Sequence, residues 1–186
     1  MCKKSKLSNW LPTAIRQAVA DMHETMRNPK YKIDMGQWWD PSQCEVCLAG
    51  CVMASRFEQI DFKPAIAYVA TDAEGKQVAI YSRTLSPHQH EQYRIFAALD
   101  SVRRGLMYGA INFAFKFSAY PLNSDYMRLM NAASGHIPFV DMLRMADEIE
   151  TLMLSRGFAR SEYDTEPEDV VITDEMLREL ELAKRY

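Results

Sequence analysis

From Leu11 to Met26 the residues Leu11, Ile15, Ala18, Val19, Met22 and Met26 recur at helical spacing. That period lays an apolar stripe along one side of an α-helix, and the stripe is stable only against other packed elements. Pro12 suits the first helical turn, where its missing N–H costs nothing, and Asn28-Pro29 closes the segment. The same period returns further along the chain, so the sequence predicts helices packed on helices.

Ser42-Gln43-Cys44-Glu45 has the form of a capping box, in which Ser and Glu satisfy each other's orphan backbone N–H groups. It predicts a helix through Val46, Leu48, Ala49, Val52, Met53 and Ala54 to about Phe57. A second box, Ser86-Pro87-His88-Gln89, opens a helix to about Arg104. Gly105 stops it, and Tyr93, Phe96, Leu99 and Val102 form its inward stripe. Residues 106–117 are apolar almost all round and predict a central, buried helix. Pro138 begins another, with Phe139, Leu143, Ala146, Ile149 and Met153 on one face and Gly157 as its stop. Thr173 caps a last helix, with Asp174 and Glu175 in its first turn and Lys184 and Arg185 in its last, as the helix dipole prefers.

One stretch changes period. AIAYVAT and VAIYSRT flank Asp72-Ala73-Glu74-Gly75-Lys76 and predict a β-hairpin near 65–84. A lone hairpin is marginal in water, so it must pack on the helices. Residues 29–41 read as an irregular, aromatic-rich connection. The fold class expected is α+β, predominantly α-helical, with about six helices, one β-hairpin and a C-terminal acidic helical arm. Residues 1–160 would form the compact domain, and 161–186 an acidic linker with the last helix.

A chain of 186 residues can bury roughly 70% of its unfolded surface, so it needs no disulfide or metal to fold. Its net charge of −3 is uneven, because residues 161–186 carry nine acids against three bases. A weakly basic body with an acidic end lacks the dense basic face of a strong nucleic-acid binder. The basic start, Lys3-Lys4-Ser5-Lys6, is followed by no apolar run, which argues against secretion. No stretch approaches the ~20 apolar residues of a membrane span. Cytoplasmic residence is the expectation.

Three of the four cysteines gather in Cys44-x2-Cys47-x3-Cys51, one stripe of the helix the first capping box predicts. Free Cys is among the most buried residue types, so close packing beside Ala49, Gly50 and Ala54 is the plain interpretation. Zinc or an iron–sulfur cluster usually takes four ligands, and His23, His88, His90 and His136 stand at no ligand-like spacing from the thiols. Cys44 in a first helical turn would have its thiol activated by the dipole, given a base such as His88 or His136. His88-x-His90-Glu91 does not share a helix face and fits an exposed first turn. No cofactor and no metal ligand set is expected.

Tyr31, Trp38 and Trp39 cluster beside Arg27, Asp34 and Asp40. Tryptophans of this kind either split between core and surface or form a contact hot spot. Arg103 and Arg104, with Arg94 and Lys116, would make a small basic patch or a solvated helix end. Tyr31, Trp38, Trp39, Arg103 and Arg104 are therefore the candidate binding residues. Phosphate-loop, G-x-S-x-G, H-E-x-x-H and paired-carboxylate motifs are missing from the sequence, which argues against an enzyme.

The run Tyr31-x2-Asp34-Met35-x2-Trp38-Trp39-x-Pro41, followed by Cys44-Glu45-Val46-Cys47-Leu48-Ala49-Gly50-Cys51-Val52-Met53-Ala54, resembles a group of uncharacterised proteins of tailed bacteriophages. Their pattern joins a W-x-P turn to C-x-V-C-L-A-G-x-V-M-A and a later segment like Leu99-Asp100-x-Val102-Arg103-Arg104-Gly105. The likeness covers about a third of the chain and implies no activity. Cys51 stands where the pattern has a small residue, and the hairpin near 65–84 reads as an insertion.

Three functions follow as expectations. The first is a phage accessory protein that binds and inhibits, or redirects, a host protein such as a defence component. The second is a small-molecule binder for a nucleotide signal, using Tyr31, Trp38, Trp39 and Arg103. The third is a thiol enzyme or metalloprotein built on Cys44 and Cys47. The expected partner is a host protein, with self-association left open and membrane and nucleic acid disfavoured.

Overall fold

The opening stripe becomes α1 (Leu11–Met26), and the other helices are arranged around it. The computed structural model describes residues 6–35, 39–40, 44–56, 59–63, 67–71, 77–82, 91–115, 136–163 and 170–183. After α1 come β1 (Lys32–Ile33), β2 (Trp39–Asp40), β3 (Glu45–Val46) and α2 (Leu48–Arg56). Three strands follow, β4 (Gln59–Lys63), β5 (Ala67–Thr71) and β6 (Gln77–Ser82). The helices α3 (Glu91–Arg103), α4 (Met107–Phe115), α5 (Phe139–Ser155) and α6 (Asp174–Ala183) complete the order, with a short 3₁₀ turn at Arg160–Glu162. Six helices among the described residues make this a predominantly α-helical α+β fold.

α1 touches α2, α3, α5, α6 and β1, and twelve of its sixteen residues are buried. A helix enclosed to that degree carries polar side chains inward, and each must find a partner. Gln17 accepts from the Ser8 amide at 2.8 Å and donates to the Lys6 carbonyl at 3.3 Å. Asp21 receives Arg56 Nε at 2.6 Å, an ion pair with both side chains at most 4% exposed. Thr25 donates to the Asp21 carbonyl at 2.7 Å and lies 3.1 Å from the Ser55 hydroxyl. These contacts join α1 to α2 by polar bonds as well as by Leu48, Val52 and Met53, all fully buried.

The helix stops work as the sequence implies. Gly105 (φ +76°) and Gly157 (φ +84°) take the left-handed conformation that ends a helix without Cβ strain. Leu106 then bonds back to the Ser101 carbonyl at 2.9 Å, and Phe158 to Met153 at 3.1 Å. Phe96, Leu99 and Val102 point into the core from α3. Trp10 is fully buried, donates from Nε1 to Glu150 at 3.1 Å, and packs on Phe115 and Tyr163 with ring centroids 6.0 Å away.

Four local expectations change. The helix after Ser42 begins only at Leu48, because Cys44 turns left-handed (φ +54°) and Glu45–Val46 is drawn into a sheet. Glu45 and Val46 are paired in a ladder on both sides there, and that tertiary pairing outweighs the local signal. The cysteines therefore do not share one helical stripe. The hairpin exists as β5–β6, but β4 pairs with β5 and makes an antiparallel meander. Gln59-Ile60-Asp61-Phe62-Lys63 alternates at the strand period, the signal that marks β4. α4 buries Gly109, Ala110, Ile111 and Ala114 on one side, while Tyr108 is half exposed, so it is not enclosed as its composition implied. The start of the α3 segment at Ser86 lies outside the described residues.

The last helix rests on the body. Leu180 is fully buried, Glu179 Oε2 meets His23 Nε2 at 2.7 Å, and Glu181 accepts from the Phe139 amide at 2.5 Å. Thr173 caps it, its hydroxyl accepting from the Met176 amide at 3.3 Å. Truncating Leu180→Ala should lower unfolding stability by ~2–5 kcal/mol, as for other buried leucines. Denaturant melts of the variant check this. An unchanged midpoint would mean that α6 is a separable arm and its docking contributes nothing.

Candidate functional site around Arg103

Two of the residues singled out by sequence, Arg103 and Arg104, stand at the C-terminal end of α3, and Arg103 reaches the turn that follows β1 of the small sheet. In that sheet β3 is central, parallel to β1 and antiparallel to β2. Lys32 donates to the Cys44 carbonyl at 2.9 Å and Asp34 to the Val46 carbonyl at 3.0 Å. Trp39 of β2 pairs with Val46, and Tyr31 immediately precedes β1 on the other side of β3. Tyr31 is half-buried, packs on the core and carries the Lys30 ammonium 5.4 Å from its ring centroid. Trp38, Lys116, His88 and His90 lie outside the described residues, as does the side chain of Trp39.

Arg103 is 2% exposed, not the solvated helix end that its position implies. Its Nε donates to Asp100 Oδ1 at 2.6 Å, one helical turn back. Its Nη1 donates to the Met35 carbonyl, in the turn that follows β1, and lies 3.1 Å from His136 Nδ1. Arg104 stays partly exposed and turns to the other oxygen of Asp100 at 3.2 Å. The Asp100 carboxylate thus pairs with both guanidiniums, while the Met35 carbonyl and the His136 imidazole face Arg103 Nη1. The segment carrying His136 is itself fixed, because the Ile137 amide donates to the Arg103 carbonyl at 3.0 Å. Gly105 has to be glycine here for a second reason: a Cβ would sit 2.9 Å from Ile137 Cγ2.

The thiols split by environment. Cys47 and Cys51 are fully buried and Cys44 is half-buried. Burial pushes the Cys47 thiol up to about 11, only partly offset by the nearby Arg103 charge. A thiol held protonated in this way is a poor nucleophile at neutral pH. Among the described residues no group of three or more His, Cys, Asp and Glu is placed to hold a metal ion. No helix among them is long and apolar enough to cross a membrane.

The sequence reading missed Asp100, although its spacing to Arg103 and Arg104, three and four residues on, is that of helical ion pairs. The Met35 carbonyl had no signal at all, because a backbone acceptor is invisible until the fold is known. A groove of about 590 Å³ lies between α1 and α6. It is lined by His23 and Arg27, both of which are turned to Glu179.

Comparisons of the chain with protein-family models, curated proteins and solved structures give no match.

The raised Cys47 thiol has a definite pH consequence. The folded state favours the neutral form, so its contribution is full below the ordinary thiol range and is lost as pH rises from there toward about 11. Wild-type stability should fall more steeply than that of Cys47→Ala between those limits, which paired denaturant melts measure. Parallel slopes in the two proteins would show that the thiol is not held protonated by the fold.

Proposed function

We propose that this chain is a phage accessory protein that acts by binding, and that it captures a host protein through the aromatic connection of residues 31–40. One observation carries the proposal: Arg103 ties the Met35 carbonyl to α3, midway along the segment that bears Tyr31, Trp38 and Trp39. Contact residues work best on a segment held by a rigid scaffold, because less ordering entropy is lost on binding. Trp, Tyr and Arg are the residue types that dominate binding hot spots.

In this account Arg103 is a positioning residue, and Tyr31, Trp38 and Trp39 are the contacts, with Arg104 at the margin. The tailed-phage likeness of the same segment supports a phage origin and, with it, a place in the host cytoplasm; inhibition or redirection of the host partner is the proposed consequence of capture. The nucleotide reading draws no support from Arg103, whose Nε and Nη1 are turned to internal acceptors. The thiol reading draws none from Cys47, which burial keeps protonated.

The test starts from tagged protein expressed in a bacterial host, with captured proteins identified and the partner then purified. Trp38→Ala and Trp39→Ala should each weaken binding to that purified partner by more than about 1 kcal/mol with an unchanged melt. A core tryptophan would instead cost ~3–5 kcal/mol of stability and lower the melting temperature first. Variants that fold normally and bind as wild type place the contact elsewhere. A wild type that captures no protein but releases a nucleotide on denaturation replaces the binding reading with the small-molecule one.

A further inference from the structure

The C-terminal helix is held by the body much as a peptide ligand is held by a groove. A ten-residue helix is too short to keep its shape alone in water, so α6 is helical because it is docked. Its hold centres on three consecutive residues. Leu180 is its one fully buried side chain among the described residues. Glu179 Oε2 meets His23 Nε2 at 2.7 Å and Arg27 Nη2 at 3.3 Å, both near the C-terminal end of α1. Glu181 accepts from the Phe139 amide at the start of α5, where the helix dipole favours an anion. The hydrogen bond to His23, together with Arg27, holds the Glu179 carboxyl below the usual carboxylate range, so it is ionised in its seat.

The body thus presents an imidazole and a guanidinium, an apolar seat and a helix N-terminus. Each matches one position of an acid-leucine-acid run on a helix, with the leucine inward and the acids at its sides. α6 does not close this face. The groove beside it, about 590 Å³, is lined by Ala20, Glu24 and Arg27 of α1 and by Thr173, Glu175 and Met176. Arg27 is 64% exposed there, within reach of a further carboxylate. A helix with one fully buried side chain and open space along its flank belongs to the low end of local stability, so it opens before the core does.

We propose that the face of α1 and α5 beneath α6 is a receptor for an acidic amphipathic helix supplied by a partner, and that α6 is its built-in competitor. The partner's chemistry follows from the present occupant: a leucine flanked by carboxylates, on a helix that lays its apolar side into the groove. This surface is separate from the aromatic contacts proposed above and does not depend on them. A tethered competitor reduces the affinity for an incoming helix by the fraction of molecules whose face is open. Loosening α6 must therefore tighten binding in trans, the reverse of what losing a contact residue does.

A labelled peptide of residues 170–183, titrated against the full-length chain by fluorescence anisotropy, tests this. The Leu180→Ala protein should bind it about tenfold more tightly than the wild type does. The Ala20 and Arg27 amides, beside the groove, should shift as the peptide binds. A peptide that itself carries Leu180→Ala should bind about tenfold more weakly, and a scrambled peptide of the same composition likewise. Glu179→Lys in the protein sets a cation against Arg27 and should tighten peptide binding in the same direction. That variant decides should the Leu180→Ala protein fail to fold. Affinity equal to wild type in the loosened proteins overturns the proposal, as does no binding to them. Binding that leaves Ala20 and Arg27 unmoved, or equal binding of the scrambled peptide, overturns it too.

Discussion

A guanidinium at 2% exposure cannot stand alone. Taking its charge out of water costs several kcal/mol, which only a counter-charge and well-placed acceptors offset. Arg103 finds them on three separated parts of the chain: Asp100 on its own helix, Met35 after β1, and His136 before α5. Since the charge must be compensated, the positions of those three parts are coupled. The turn after β1 cannot drift from α3 without stranding a buried cation. This coupling fixes Met35, at the end of β1, against α3.

The scaffold behind that anchor is α1. Its apolar stripe is satisfied by Leu48, Phe96, Leu99, Phe139 and Ile149, all fully buried. Its polar residues are satisfied just as specifically. Asp21 with Arg56 ties it to α2, and His23 with Glu179 ties it to α6. A buried ion pair adds little net stability over a well-packed apolar pair, yet breaking one side of it is costly. Such pairs act against alternative packings of helices whose apolar faces are interchangeable. The same logic holds for Trp10, whose ring fills the core while its N–H requires Glu150.

Much of this was legible in the sequence wherever one local rule acted alone. The helix stripes of α1, α3 and α5 and the glycine stops at Gly105 and Gly157 follow from period and φ alone. Legibility ended where tertiary contacts outbid local ones. Ser42-Gln43-Cys44-Glu45 has a helix-start signature, yet Glu45–Val46 pairs with two other strands. Six-residue propensity cannot foresee a partner strand that lies a dozen residues upstream. At the candidate site the sequence named Arg103 and Arg104 but attributed them to a solvated patch. Only the fold reveals that the Met35 carbonyl and His136 face the guanidinium, because neither has a sequence spacing to betray it.

The account stands on Arg103 as the holder of the aromatic connection, and Arg103→Lys addresses that directly. Lysine keeps the charge but cannot span the three acceptors at once in a fixed fork. Amide exchange at neutral pH should show Lys32 and Asp34 losing protection in Arg103→Lys while the amides of α1 remain as slow as in the wild type. If Lys32 and Asp34 exchange as slowly as in the wild type, the sheet holds itself and the guanidinium is not its anchor.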